Sequence, residues 1–493
     1  MFSKILVANR GEIAVRIIQT CRELGIASVA LYTDSDVSSR HVRLADESIR
    51  LESAADFMDP AAIVQIAQER GADAIHPGIG FMAEREAFIQ ACVAAGITFI
   101  GTPLPIIQAM GGKLDMLRAA RDAGLPTVTH TDDSFDPNDL EKLRAQAESF
   151  GYPLVIKSCE GGRGAGERLV RSADHLDRAV SRAQAEATAV YGEDYIYLER
   201  AIDPANQVSV QIAADAHGAV VHLGEREGSL IYSNRKLIDE SPAPSINDDQ
   251  RTQIWAAAVD LARRFGFQGI GSFEFLIDGD GAFYFSEVKT RITIDHVLTE
   301  WRTGLDLVAL QLQIAAGEPL GFTQDEVRLS GASILARIHA EDPDNHFLPS
   351  PGQLRRVRLP HGSGVRTDTY VYSDVQVPPE YSRLIGKLSV WAPDRVGAVR
   401  RLTRALRELV LIGTNTNVAL LQRIMQAPNF IDGTYTTNFI YGPLPDAALD
   451  ETQSRDLAVA AAVLYEIRHQ VQQPTSPDRL KTGWHRDSRR LPQ

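Results

Sequence analysis

Cysteine is scarce in this chain. Cys21, Cys92 and Cys159 are the only three among 493 residues. Their wide spacing gives neither a disulfide framework nor a zinc site. The twelve histidines form no H-x-x-x-H pair. An excess of positive charge is also lacking: 51 Lys and Arg stand against 64 Asp and Glu, a net charge of −13. That balance argues against nucleic acid as a main partner, because a phosphate backbone needs clustered cations. A local basic pocket for a nucleotide stays compatible with it. No apolar run reaches the length of a membrane span. The opening MFSKILVANRGE turns charged too early for a signal peptide, so a cytoplasmic location is expected. The glycine pattern of a dinucleotide fold is missing as well. The first strand-to-helix turn carries one glycine, Gly11, where Gly-x-Gly-x-x-Gly would be wanted.

What is present reads as a multidomain enzyme. The length predicts two to four domains. Hydrophobic content of 44% with 23% charge suits a soluble globular fold rather than a disordered or fibrous one. Lys4 to Asn9 is a short buried-strand pattern. Ile13, Ile17, Ile18, Cys21 and Leu24 then recur at helical spacing up to Gly25, and Ser28 to Tyr32 is the next strand. This βαβ opening predicts a parallel sheet with helices on its faces. Further on, strand Leu154 to Ser158 carries Lys157 and runs into Glu160-Gly161-Gly162-Arg163-Gly164-Ala165-Gly166, followed by another strand. Strand, glycine loop, strand is not a P-loop, which needs a following helix. It suits a hairpin tip whose backbone N–H groups close over phosphates as a lid.

The chemical centre lies in Ser272 to His296, SFEFLIDGDGAFYFSEVKTRITIDH. Phe273, Phe275 and Ile277 alternate with Glu274 and Leu276, an Asp-Gly-Asp-Gly turn follows, and Phe283-Tyr284-Phe285 leads to Glu287. This predicts a β-hairpin that brings Glu274 and Glu287 together. Two adjacent carboxylates repel unless a cation lies between them. Hard oxygen pairs of this kind suit Mg²⁺ or Mn²⁺ carrying phosphates. Solvated edge-strand glutamates are the alternative, but Lys289, Arg291 and Asp295 crowd close behind.

Many motifs in order then resemble one family. They include ILVANRGEIAVRI at the start, HPGIGF at His76, MGGK ending at Lys113 and YPLVIKS ending at Ser158. DESPAP from Asp239, GSFEFL from Gly271, ARIHAEDP from Ala336, LPSPG from Leu348 and IGKL from Ile385 continue the series. Together they resemble the biotin carboxylases, within the ATP-grasp fold, over nearly the whole chain. The resemblance implies an α/β protein with an N-terminal parallel domain (1–112) and a linker helix with a small mobile lid domain (113–201). A larger mixed-sheet domain (202–445) and a C-terminal helix and tail (446–493) would follow.

It also implies a reaction: bicarbonate attacks the γ-phosphate of ATP, and the resulting carboxyphosphate supplies CO₂ to N1 of biotin. By this resemblance Lys113, Lys157, Gly161, Gly162 and Gly164 hold nucleotide phosphates, and Glu199 and Ile202 line the adenine hinge. Glu274 and Glu287 bind metal. Lys236, Arg291, Thr293, Ile294 and Asp295 surround bicarbonate, with Asp295 as general base, and Arg337 stabilises the biotin oxyanion. A homodimer is expected, with a separate biotin carrier and carboxyltransferase, since no Met-Lys-Met biotinylation motif occurs.

The departures cluster. Lys289 stands at a metal-site asparagine position, which suggests a fixed charge in place of one of two metal ions. Asp295 stands where a glutamate is usual and Thr293 where a glutamine is usual. Gln207 and Asn234 replace two histidines read as lying near biotin, Ser209 replaces a glutamate and Ile79 a tyrosine. Two alternative functions therefore accompany the main one: carboxylation of a different nitrogen nucleophile without biotin, or a nucleotide-binding paralogue without catalysis. Among single residues, Cys159 reads as a packed side chain, His76 as a loop anchor, and His296 as orienting its loop. The basic tail after Pro474 reads as mobile or as a docking segment.

Overall fold

The computed structural model describes residues 1–136, 139–159, 168–191, 195–232, 235–445 and 451–472. The chain divides into two compact units, Met1–Pro445 and Asp446–Gln493.

In the first unit, β1 (Lys4–Val7), β2 (Ala27–Tyr32), β3 (Glu47–Arg50), β4 (Ala74–His76) and β5 (Thr98–Phe99) form a sheet of order β3-β2-β1-β4-β5. Every pairing in it is parallel, as the βαβ opening predicts. After β4 the chain turns sharply through Pro77 to Gly80. His76 is fully buried, and its Nδ1 accepts from Gly78 N at 3.0 Å, so it is the loop anchor expected. Gly78 has φ of 65°, and a Cβ there would collide with the Asn9 side chain at 2.8 Å. Only glycine meets both demands. The Asn9 amide in turn donates to the carbonyls of Pro77 and Ile79. Arg10 ion-pairs with Asp36 beneath the rings of Tyr370 and Tyr381, and Glu12 pairs with the fully buried Lys387 at 2.9 Å. Both therefore organise packing inside this unit.

A three-stranded antiparallel sheet follows: β6 (Leu154–Ser158) lies between β7 (Arg168–Val170) and β8 (Ile196–Arg200). Helices Leu140–Phe150 and Leu176–Tyr191 belong to this part of the chain, and Leu143, Leu154, Ile156, Val180 and Leu198 make its small core. Glu160 to Glu167, with Gly161, Gly162 and Gly164, lie outside the described residues.

The large sheet begins with β9 (Asn206–Ala214), β10 (Val220–Tyr232), β11 (Arg235–Ser241), β12 (Gly269–Ile277), β13 (Phe283–Lys289) and β14 (Ala332–His339). Short strands β15 (Glu341–Asp342), β16 (Leu348–Pro349), β17 (Gly352–Leu354) and β18 (Arg356–Arg358) precede β19 (Val365–Thr369), β20 (Val375–Val377), β21 (Leu384–Ala392) and β22 (Val410–Ile412). Eight of these strands form one sheet, in the order β13-β12-β9-β10-β11-β14-β21-β19. The mixed sheet expected from sequence is corrected here. All ladders are antiparallel, and the parallel element is a single bridge between Thr127 and Phe285. Helix Asp248–Arg264 covers one face, with Ile254, Ala258 and Leu261 packed among Val210, Phe273, Phe275 and Phe285.

In the second unit, helix Glu451–Gln472 agrees with the helix read from the sequence within a few residues. The basic tail from residue 473 lies outside the described residues. Among the described residues no helix is long and apolar enough to cross a membrane.

Candidate active site

The hairpin forms as the alternation predicts. β12 and β13 pair antiparallel with Glu274 directly opposite Glu287. The next pair is Phe275 with Phe285, so Ser286 is an extra residue, a β-bulge, on β13. Strict alternation would point Phe285 and Glu287 the same way. With the bulge between them, Phe285 is fully buried in the core while Glu287 lines a cavity on the side of Glu274. Lys289 Nζ lies 2.7 Å from Glu287 Oε1, and Lys289 itself is buried. Burial opposes ionisation of Glu287, but Lys289, Lys113 and Lys157 together hold its carboxyl below the usual range. Burial raises Glu274, against the pull of Lys236 and with the Glu287 charge adding to the rise. The two carboxylates thus have the spacing and donor type for a hard divalent cation completed by phosphate oxygens. Among the described residues no third carboxylate, histidine or cysteine joins them.

The cavity measures about 250 Å³ and is lined by Lys157, Glu199, Ile202, Lys236, Glu274 and Glu287 among others. Lys157 on β6 pairs with Glu199 on the neighbouring β8, Nζ to Oε2 at 2.8 Å, and the Tyr197 hydroxyl donates to Glu199 Oε1 at 3.0 Å. The phosphate lysine and the hinge glutamate of the sequence reading are therefore bonded to one another. Gln207 and Ser209 line this same cavity. β9 starts shortly after Ile202, and Gln207 and Ser209 sit across from Leu276 and Glu274 of β12, on a wall of the cavity that Lys236 also lines. Asn234 lies outside the described residues. Cys159 packs partly buried against the large core, as its neighbourhood in sequence suggested.

A second cluster of charge adjoins the hairpin. Arg337 on β14 forms a two-pronged pair with the fully buried Asp239, at 2.8 and 3.0 Å, and Lys236 Nζ is 3.9 Å from the same carboxylate. Asp295, at the start of helix His296–Thr303, is buried. Burial alone would raise its carboxyl, yet Arg226, Lys236 and Arg337 hold it far below the ordinary range. Arg291 Nε donates to Glu84 Oε2 at 2.9 Å, which ties the β13 exit to the loop after β4. Thr293 is buried, and its carbonyl oxygen lies 2.8 Å from His296 Nδ1. The Ile294 side chain packs against Val297, Leu298 and Leu335. His296 is buried among Lys387, Arg16 and Arg366, its pKa driven down by burial and by those cations. A neutral, anchored imidazole fits an orienting role.

Three residues escaped the sequence reading. Glu84, Asp239 and Arg226 are the partners of Arg291, Arg337 and Asp295. Arg226 left one signal: it sits in Glu225-Arg226-Glu227, three charges in the middle of a buried strand, and all three are fully buried. Buried charges must be paired, so such a triplet marks a polar network.

The likeness to known proteins covers the same ground. Residues 1–107 match the biotin carboxylase N-terminal domain, 113–323 the carbamoyl-phosphate synthase L chain ATP-binding domain, and 335–441 the biotin carboxylase C-terminal domain. A biotin carboxylase of Nostoc sp. is 43% identical over 442 residues, 89% of this chain and 98% of that protein. The biotin carboxylase of Haemophilus influenzae is 40% identical over 443 residues, 89% of this chain and 98% of its own length. Among solved structures, the biotin carboxylase domain dimer of Hydrogenobacter thermophilus 2-oxoglutarate carboxylase, in complex with MgADP, ADP and bicarbonate, superposes with a TM-score of 0.86 at 39% identity. It covers 90% of this chain and 97% of that one. The Campylobacter jejuni biotin carboxylase in a β,γ-ATP complex gives a TM-score of 0.85 at 35% identity, over 90% and 99% of the two chains. The three consecutive domain matches and the end-to-end ATP-grasp architecture show that the chain belongs to the biotin carboxylase family.

Proposed function

We propose that the chain is the biotin carboxylase component of a multi-subunit carboxylase, an ATP-dependent ligase that uses bicarbonate. A bicarbonate oxygen bonds to the γ-phosphorus, ADP leaves, and carboxyphosphate breaks into CO₂ and phosphate. CO₂ then bonds to N1 of biotin, whose proton passes to the released phosphate. In this reading Lys113 and Lys157 hold the phosphates, and the glycines of the 160–167 loop would cover them. Glu199 and Ile202 border the adenine. Lys236 and Arg291 hold bicarbonate beside Thr293 and Ile294, Asp295 acts as the base, and Arg337 faces the biotin oxyanion. Glu274 and Glu287 would hold Mg²⁺, which when bound neutralises charge on the transferring phosphoryl group. Positioning and charge neutralisation are most of what phosphoryl transfer asks of a protein.

The observation that carries the reading is the convergence on one cavity of Lys157, Glu199, Lys236, Glu274 and Glu287, with Asp295 and Arg337 adjoining. We take the biotin to arrive on a separate carrier, the carboxyltransferase to be another chain, and the enzyme to act as a cytoplasmic homodimer. Incubation with ATP, Mg²⁺, bicarbonate and free biotin, or a carrier protein, should release phosphate in a biotin-dependent way. Folded protein that cleaves ATP with bicarbonate but ignores biotin would instead favour a different nitrogen acceptor. That second reading rests on Gln207, Asn234, Ser209 and Ile79, where the family pattern is replaced. Folded protein with no bicarbonate-dependent ATP cleavage would favour the non-catalytic paralogue.

A further inference from the structure

We infer that Arg226 is the positioning residue for Asp295, and that an uncharged side chain at Ser209 is what leaves the Arg226 charge to Asp295. The Arg226 side chain is fully buried in β10. Its Nη1 donates to Gln211 Oε1 and its Nη2 to Ser272 Oγ, both at 2.7 Å. Gln211 is itself tied to the Gly271 carbonyl at 2.7 Å, so the fork is held on both prongs. The remaining nitrogen, Nε, donates to Ser209 Oγ at 3.4 Å and lies 3.3 Å from Asp295 Oδ2.

The counter-ions divide unevenly. Three cations surround Asp295: Arg226, Lys236 and Arg337. Lys236 and Arg337 share a second carboxylate, Asp239. Among the described residues, Arg226 has neutral partners apart from Asp295. It is therefore the cation dedicated to Asp295, and its rigid planar fork fixes where that carboxylate sits.

Register explains Ser209. Arg226 is the cross-strand neighbour of Ser209 on β9, and Ser209 is the neighbour of Glu274 on β12, which faces Glu287 on β13. The four residues form one row across the sheet. A carboxylate at 209 would lie between Arg226 and Glu274. It would draw Nε away from Asp295 and set a third negative charge beside the metal pair. The Ser209 hydroxyl accepts from Nε at 3.4 Å but adds no charge, so the guanidinium charge stays with Asp295.

The inference rests on the proposed reaction only where turnover is the readout, so it is tested in two ways. A melting-temperature cycle of R226Q, D295N and the double variant reads the pair without turnover. The double variant should melt no lower than the worse single variant; fully additive losses would overturn the inference. In bicarbonate-dependent ADP formation, S209E should lower kcat on the order of tenfold, and should raise the acidic limb of the pH–rate profile by loosening Asp295 from its cation. Combining S209E with D295N should cost little beyond D295N alone. An unmoved acidic limb with independent losses overturns the inference while leaving the carboxylase reading intact. Wild-type protein with no bicarbonate-dependent turnover removes that reading, and the melting cycle still decides the pair.

Discussion

Lys289 Nζ lies 2.7 Å from Glu287 Oε1, two residues along the same strand, so an ammonium is built into the carboxylate pair formed by Glu274 and Glu287. Burial would favour a neutral amine there. The Glu287, Glu274 and Glu84 charges outweigh it and push the lysine above its ordinary value, so it stays charged. One oxygen of Glu287 is thereby committed before any metal arrives.

The metal count should reflect this. Titration of Mn²⁺ into wild-type protein saturated with ADP, followed by electron paramagnetic resonance or calorimetry, should find about one tightly held ion per nucleotide site. Lys289→Asn should admit a second and should steepen the Mg²⁺ dependence of turnover. Two ions in the wild-type protein would refute the expectation.

Glu287→Gln keeps shape but removes the charge that Lys289, Lys113 and Lys157 face. Bicarbonate-dependent ATP cleavage should fall by at least about a hundredfold, the scale on which a preorganised electrostatic group is missed. ADP should still bind, because Glu199 and Ile202, the hinge in the proposed scheme, are untouched. A variant that retains most of its activity would show that Glu287 is not a metal ligand.

Asp239→Ala strands the buried Arg337 guanidinium and removes the anchor of Lys236. Breaking one partner of a buried pair costs roughly 3–5 kcal/mol. The variant should melt well below the wild type. Its turnover with biotin should suffer more than its binding of nucleotide, since Arg337 lies outside the nucleotide cavity.

Stability should fall as pH rises between about 4.5 and about 7, in part because of one residue. Glu227 is buried beneath Asn206, Ser229 and Ser245, and burial, reinforced by the Glu240 charge, raises its carboxyl to about 7. Glu240 is itself held by Arg395 and the Tyr435 hydroxyl. The folded protein then keeps a proton that the unfolded chain has lost, so the stabilisation is complete below about 4.5 and disappears through about 7. At about 1.4 kcal/mol per unit, the span is roughly 3 to 4 kcal/mol. Glu227→Gln should flatten this part of a melting-temperature profile taken from pH 5 to pH 8. An unchanged slope would assign the dependence elsewhere.

Local patterns were legible in the sequence, and long-range partners were not. The hairpin could be read because two-residue alternation and an Asp-Gly-Asp-Gly turn each point to strands, and the carboxylates stand at matching distances from that turn. The parallel opening could be read for similar reasons. Glu84 could not, since its partner Arg291 is 207 residues away and a lone glutamate in a loop carries no signal. Asp239 is 98 residues from Arg337, and its motif gave no hint of a two-pronged pair. The surroundings of Gln207 were not legible, because a residue-by-residue likeness says which position is altered but not which wall of the cavity it lines. The direction of the sheet was misjudged because antiparallel and mixed sheets share one alternation.

The bulge on β13 makes the site depend on backbone shape as well as on chemistry. Ser286 bonds to no metal in the proposed scheme, yet the bulge it forms sets the faces of its neighbours. With Ser286 drawn into a regular ladder, Glu287 would follow Phe285 into the core, away from Glu274. Selection acting on substitutions alone can retune Lys289, Ser209 and Asp295 one at a time. A single-codon deletion at position 286 would instead straighten the strand with Glu287 still across from Glu274, so the carboxylate pair can outlast the residue that bends it.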